Sequence, residues 1–578
     1  PYDWLEAEAC FTPYNSSTLL IVLKLKNKSD EERKLSCYHL IGRSKGLPTR
    51  YRSETVYTKE MLGIEWSWNA EKEQNEAMQI VYSEGDCSNL LCTLSASERA
   101  SQADVEGLNL DNEHLIGQVV EVTLGIDEEK TLIFSLNIHS FDKGRDEISK
   151  FCGARITKLA LRYDWQKHIK NSLKKYERYP IVELPEKNWE SYFYSALELP
   201  QAETFNPQRN MKFPFYTLCR AQGQAHKDRQ WFEGGWTGAG DCHLSLFATL
   251  LVDPYLPLEH LRNNFDHQAE SGLLPSLSVD ELWIEGPPPI MIWEAWNIYL
   301  WTGDREFLRE TYKAGKKELE GWYKERDRTG DGLCYFKDVI ENLRDTGFSG
   351  WNVQDGYNPD KVPTFLVVPI YEQENLDLNC YLLREERVMA KIARELGYQE
   401  EAKKYRELAD RRIQFMNWYM WNEEDKCYYG ISEYDGTMAD VKDIAIFFPL
   451  FAGLADQERA EELIKHLDDP KEFKTTYSIP TLAMDEPTFK SDWHWHGPTW
   501  IQMNWLIMLG LRDYGYYSKA SELAYINTKM MFDGLKETSH FSEYYDSITG
   551  KGIGLYDYIW DALPAAYITR IFFGMEPR

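Results

Sequence analysis

The chain has 578 residues, enough for more than one domain and for a large core. Lys and Arg number 65 against 93 Asp and Glu, and the net charge of −28 argues against nucleic acid or an anionic membrane as partner, since both would repel it. No apolar run is long enough to span a bilayer.

Aromatic residues make up 14% of the chain, with 20 Trp and 36 Tyr. Sugar rings stack their C–H faces on aromatic rings, so the excess fits carbohydrate binding, although a large core uses aromatics too. Ten cysteines are scattered without a CxxC pair, which reads as buried free thiols in a reducing compartment. A cytoplasmic location is therefore the expectation. No secretory leader is visible, but the chain opens on Pro1 rather than Met, which leaves a processed N-terminus open.

Residues 1–150 read as β-rich. "TLLIVLKLKN", "AMQIVYSE", "GQVVEVTLGI" and "KTLIFSLNIHS" alternate or run in β-branched residues between polar turns, the pattern of an antiparallel sandwich. "RITKLALRYDWQKHIKNSLKKY", from Arg155 to Tyr176, predicts a helix, and residues 151–185 are read as a helical linker. From 186 to 578 long amphipathic segments recur, among them "PPIMIWEAWNIYLWTG", "EFLRETYKAGKKELEGWYKER", "LNCYLLREERVMAKIARELG" and "WIQMNWLIMLGLRDYG". Apolar residues fall at i, i+3, i+4 and i+7, and Gly, Asp or Asn closes many of the helices. Their number and pairing suit a toroid of helical hairpins better than a four-helix bundle.

Four loops rich in acidic and aromatic residues lie between these helices, where function tends to sit. Cleaving a glycosidic bond needs two carboxyl groups flanking the anomeric carbon, so each loop is a candidate. "QWFEGGWTGAGDCHLSLF" holds Trp231, Trp236 and Asp241, the last of which equally suits a helix N-cap. "DTGFSGWNVQDGYNP" holds Trp351, Asn352 and Asp355, and its bland reading is a loop of Asx-turns. "DWHWHGPTWIQMNW" carries His494, Trp495, His496 and Trp500 into an apolar helix, and two histidines without a third ligand make a weak metal site. "HFSEYYDSITGKG" places Glu543 in a short aromatic strand before a hairpin turn, where a lone Glu is usually exposed and inert. "DRTGDG", with Asp327 and Asp331, is a weak calcium candidate that reads better as a plain turn.

Taken in order, these segments resemble the inverting (α/α)6 glycosidases that include glycoside hydrolase family 63 and the trehalases. Trp236 to Asp241 resembles the family's Trp-Asp segment, and Asp377 and Asn379 its Asp-Leu-Asn helix. "WHWHGPTWIQMNWLI" is similar to its Arg-Gly-Pro-x-Trp helix start, with His496 where Arg is common. "FSEYYDSITGKG" resembles the segment of the catalytic base, which would be Glu543. The likeness covers roughly residues 190–575 and implies a mainly α chain, an (α/α)6 barrel preceded by the β-sandwich.

One departure matters. The resemblance places the general acid in a Ser-Gly-Trp-Asp motif, but residues 349–352 read Ser-Gly-Trp-Asn. An amide has no acidic proton for a leaving oxygen. Three readings stay open: a deliberate Asp-to-Asn substitution that traps bound sugar, transfer of the role to Asp355, or a chain that binds sugar without cleaving it.

The expectation is an exo-acting inverting glycosidase for a small α-glucoside or α-mannoside. Glu543 is its base and the carboxyl at position 352, or else Asp355, its acid. Trp231, Trp236, Trp351, Trp495 and Trp500 line the pocket. Asp241, Asp377 and Asn379 hold sugar hydroxyls. No cofactor or metal is required, and the sequence does not assign an oligomeric state. The rivals are a sugar epimerase or isomerase using His494 and His496, and an inert sugar-binding relative.

Overall fold

The computed structural model describes residues 3–15, 18–42, 62–67, 77–84, 87–96, 101–102, 115–141, 155–157, 159–207, 209–218, 243–277, 282–337, 341–342, 373–439 and 441–576. They divide into two compact units, Pro1–Arg178 and Tyr179–Arg578.

Among the described residues, the first unit contains nine strands. These are β1 (Leu5–Asn15), β2 (Thr18–Asn27), β3 (Arg33–Gly42), β4 (Leu62–Ser67), β5 (Ala77–Glu84), β6 (Cys87–Ala96), β7 (Ser101–Gln102), β8 (Leu115–Leu124) and β9 (Glu129–Phe141). They form one sheet in the order β1-β2-β9-β6-β5-β4 and a second in the order β3-β8-β7, all pairs antiparallel. Alternation in "TLLIVLKLKN" becomes alternation of burial along β2, because successive side chains of a strand point to opposite faces. Leu25, Ala96, Leu132 and Phe134 of the larger sheet share a core with Cys37, Val120, Val122 and Leu124 of the smaller. The expected helix over 155–176 is interrupted. Asp164 accepts from Lys167 N at 3.0 Å, starting a fresh helix, α1 (Trp165–Leu173). That helix falls inside the first unit, whose boundary lies at Arg178.

The second unit is helical. Its longer helices are α2 (Trp189–Ala202), α3 (Tyr255–Asp266), α4 (Met291–Thr302), α5 (Arg305–Arg326), α6 (Leu376–Leu396), α7 (Gln399–Tyr419), α8 (Gln457–Asp468), α9 (Ile501–Asp513) and α10 (Tyr517–Thr538). Gly303 and Gly397 end α4 and α6 in the left-handed conformation, as their place after each apolar run predicts. Two kinds of helix alternate. α4 and α9 are apolar almost all round and bury most of their length, whereas α5 and α7 keep a charged side.

Six helical segments touch one another in a closed order: Leu246–Thr249 with the turn before it, α4, α6, Phe448–Ala452, α9 and Leu563–Ala566, which returns to Leu246–Thr249. α2, α3, α5, α7 and α10 pack outside them. The contacts are close. A Cβ at Gly510 of α9 would meet Phe451 N at 2.5 Å and Leu450 C at 2.6 Å, so only glycine lets these two inner helices approach.

This core carries buried acids. Glu294 on α4, Glu318 on α5 and Glu385 on α6 are at most 2% exposed. Burial pushes the Glu318 carboxyl up to about 8, although Trp322 Nε1 and Leu274 N donate to it. Burial likewise raises Glu294 and Glu385 well above the ordinary carboxylate range, and the neighbouring Glu318 and Glu294 raise Glu385 further. Glu385 Oε1 accepts from Trp293 N at 3.0 Å, capping the start of α4, while Oε2 is buried without a partner.

A carboxyl whose folded-state value is raised holds its proton in the native state after the unfolded chain has released it. Stability is therefore lost as pH rises from about 4.5 towards the folded value. Glu385→Gln keeps the cap and cannot ionise. Its melting temperature relative to the unsubstituted chain is expected to rise by about 1–3 °C between pH 5 and pH 8, measured by calorimetry. A pH-independent difference would mean that Glu385 is not held neutral.

Candidate active site

The strongest candidate from the sequence, Glu543, lies in a two-stranded hairpin. Two short strands elsewhere in this unit, β10 (Gln373–Glu374) and β11 (Ile431–Ser432), pair antiparallel. The hairpin is then β12 (Ser542–Tyr545) and β13 (Gly552–Tyr556). Asp546 shapes the turn between them by accepting from Ile548 N at 2.8 Å and Thr549 N at 3.1 Å, an Asx-turn.

Every residue of β12 is buried, so Glu543 is not the exposed strand residue that its surroundings in sequence suggest. It is 8% exposed, and its Oε2 accepts from Leu555 N at 2.9 Å. Gly554 makes that possible. Its φ is +88°, and a Cβ there would run into Glu543 Oε2 and lie 2.8 Å from Glu543 Cβ. The main chain of Glu543 is held as well, since Trp560 Nε1 donates to its carbonyl at 2.9 Å.

The hairpin joins two motifs far apart in sequence. Thr499 N donates to Tyr545 O at 2.7 Å and Tyr545 N to Thr499 O at 3.1 Å, locking β12 to the segment that enters α9. Aromatic stacking continues the link. Trp495 lies on Trp500 at 3.9 Å and 7°, and Trp500 on Tyr544 at 4.7 Å and 12°. Trp500 Nε1 donates to His494 O at 2.8 Å. His496 stacks on Trp493 at 4.3 Å.

This packing corrects two expectations. Trp500 has a ring on both faces and Trp495 is 2% exposed, so in this arrangement they pack in a stack with Tyr544 and are not open platforms for a sugar.

Asn379 is corrected too. Its Oδ1 accepts from Cys334 N at 2.9 Å and from Arg412 Nη1 at 2.5 Å. Its Nδ2 donates to Cys334 O at 2.9 Å and to Asn375 O at 2.8 Å. All four hydrogen-bonding positions of the amide are used, leaving none for a sugar hydroxyl. Arg412 also donates to Glu386 and Tyr323 in a buried set, at 2.9 and 3.3 Å. Asp377 sits in the first turn of α6, 4% exposed, with Oδ1 accepting from Leu378 N at 2.9 Å.

Trp231, Trp236, Asp241, Trp351, Asn352 and Asp355 lie outside the described residues. The described chain on either side of Trp351, Asn352 and Asp355 is firmly tied. Glu341 forms a buried pair with Arg326 at 2.6 Å and accepts from Lys337 N. Beyond the gap, Asn375 Oδ1 accepts from Phe336 N at 2.7 Å.

The "DRTGDG" segment is an ordered turn. Asp327 accepts from Gly330 N at 2.7 Å and Gly332 N at 3.0 Å, and Asp331 from Leu333 N at 2.8 Å. These carboxylates are turned to N–H donors, and among the described residues no group of three His, Cys, Asp or Glu could hold a metal.

One acid close to Glu543 was not singled out from the sequence. Asp561 is wholly buried, accepts from Tyr558 N at 2.9 Å through Oδ2 and has no partner on Oδ1. Burial, then the nearby Asp557, raises its carboxyl well above the ordinary range, and the charge of Glu543 adds to this. Its only signal in sequence is an acid within an otherwise apolar run, "YIWDALPAA".

Known proteins share parts of this chain's sequence and fold. Residues 243–560, more than half of the chain, match the model of the mannosylglycerate hydrolase MGH1-like glycoside hydrolase domain. Over 151 residues the chain is 36% identical to a mannosylglycerate hydrolase of Thermus thermophilus, covering 26% of this chain and 35% of that protein. Over 188 residues it is 30% identical to that of Rubrobacter radiotolerans, covering 32% and 41%. A periplasmic trehalase of Escherichia coli is 26% identical over 230 residues, 38% of this chain and 37% of the enzyme. The chain thus spans about two-fifths or less of the length of these curated relatives. In fold, it is similar to a family 63 mannosylglycerate hydrolase of Thermus thermophilus solved with glucose. The TM-score is 0.52 at 22% identity, over 65% of this chain and 99% of that one. A structure titled sialidase gives 0.55 at 13% identity over 98% and 56%.

If Asn379 is structural, Asn379→Ala should cost about 2–4 kcal/mol of stability in denaturant unfolding, because buried Arg412 and the Cys334 amide lose their partner. Unchanged stability would return Asn379 to the list of sugar-binding candidates.

Proposed function

The chain belongs to the family of mannosylglycerate hydrolase MGH1-like glycoside hydrolases, and from that premise we propose that it is an inverting, exo-acting hydrolase of a small α-glucoside or α-mannoside. The six inner helical segments in closed order, with helices packed outside them, are read as an (α/α)6 barrel whose mouth holds the site.

The observation that carries the reading is the placement of Glu543. It is a buried carboxylate fixed through one oxygen by Leu555 N–H, on a hairpin bonded to the Thr499–Trp500 segment. Such a group can act as general base, drawing a proton from the water that attacks the anomeric carbon. Hydrolysis with inversion then needs a carboxylic acid ~6.5–9.5 Å away to protonate the leaving oxygen. In the chain as it stands that acid is assigned to Asp355, because Asn352 has no proton to give. The glycerate and trehalose named for the relatives make glycosyl-glycerates and α-linked disaccharides the substrates to try first. The second reading, a chain that holds sugar without cleaving it, is favoured by Asn352 itself.

Glu543→Gln should lower kcat by about 10²–10⁴ with little change in KM, as expected for loss of a general base. On the same panel, Asp355→Asn should abolish turnover while Asn352→Asp leaves it within a few-fold. Activity that appears only in Asn352→Asp would assign the acid to position 352. No turnover in any of these chains, with sugar still bound, would favour the second reading.

A further inference from the structure

The hairpin that holds Glu543 also forms one wall of a separate cavity of about 940 Å³. Glu543 does not line it, but Ser542 and Gly554 do, so the hairpin acts as a partition with the carboxylate set into it. The remaining walls are the last turns of α10, the hairpin turn, and the chain at Tyr477 and Asp492. The volume is in the range of small-molecule sites, ~300–1,000 Å³.

The lining decides what would fit. Asp492, Asp533, Glu537 and Asp546 line the space with two amines, Lys536 and Lys551, although Asp533 is paired with Lys529 at 2.5 Å and Asp546 accepts from the turn N–H groups. That balance disfavours an anion, and so many polar groups disfavour an apolar ligand. Ser542 and Thr549 add hydroxyls, whereas that of Thr538 is bonded to Gly534 O at 2.9 Å and His540 O at 2.8 Å. A ligand matching acceptors, donors and hydroxyls together carries several hydroxyl groups of its own and no charge.

The cavity also holds two rings fixed in advance. The turn at Gly550 packs directly on the Tyr477 ring, which a Cβ there would meet at 2.6 Å. The main chain of Tyr477 is bonded through its N–H to Ser547 O at 3.0 Å and through its carbonyl to Thr499 Oγ1 at 2.7 Å. Tyr556 is stacked on His540 at 5.1 Å and 18°. Rings already held in place lose little freedom when a sugar face settles on them.

We propose that this cavity is an accessory saccharide site that binds a neutral di- or trisaccharide on the opposite side of the hairpin from the Glu543 carboxylate. The binding claim stands apart from the assignment of Glu543 as the base. Only the use of Glu543→Gln to halt turnover during the test rests on that reading.

The test is calorimetric titration of the full-length Glu543→Gln chain with maltotriose, with D-glycerate as an anionic counter-probe. A component of the isotherm is expected to weaken at least tenfold when Tyr477→Ala and Asp492→Ala are added, while D-glycerate does not compete for it. Thr538→Trp, which fills the space from the exposed end of α10, should remove the same component and guards against misfolding of the double variant. Isotherms unchanged by both changes, absence of maltotriose binding, or displacement of maltotriose from this component by D-glycerate would each overturn the proposal. If Glu543→Gln instead still hydrolyses sugar, the base assignment fails while the accessory site is judged on the titration alone.

Discussion

A small set of polar bonds buried among apolar helices, centred on Asn379, fixes the chain at Cys334 against the start of α6. Asn379 bonds both backbone groups of Cys334, and through Arg412 it is tied to Glu386 and Tyr323. The stretch at 334–336 is thereby fastened to the start of α6, where Asn375 adds its own bond to Phe336. Glu341 and Arg326 fasten the chain a few residues later. An ion pair so deep contributes little net stability against an apolar alternative, but breaking one partner is costly because it strands a charge. Its value is in holding Cys334–Phe336 against the start of α6.

The Glu543 hairpin solves the same problem by other means. A glycine at positive φ opens room for the carboxylate, a backbone N–H donates to one oxygen, and an indole N–H holds the main chain behind it. The nearby Asp561 is raised well above the ordinary carboxylate range.

Much of this was legible in the sequence. The apolar helices α4 and α9, the glycine ends of α4 and α6 and the alternating strands of the first unit follow from local pattern and turn chemistry. The four loops that drew attention by their Trp and acidic content include the two that the structure joins through Thr499 and Tyr545. What could not be read was partnership. Asn379 looks the same in sequence whether its amide meets a sugar or a backbone, and Trp500 gives no sign that both its faces are taken. Asp164, one acid in a charged run, was enough to break a predicted helix in two. These outcomes depend on which atoms meet in the folded chain, often tens of residues apart, and no local period records that.

The aromatic column beside Glu543 has an optical consequence. Trp495 and Trp500 lie parallel at 3.9 Å, within the range at which two indole excited states mix. Two indoles this close couple, and the pair adds to the near-ultraviolet circular dichroism with a strength set by the in-plane angle between the rings. Tyr544 caps the same stack from the strand that bears Glu543. Undocking that strand would take Tyr544 off the face of Trp500 and change the surroundings of that indole.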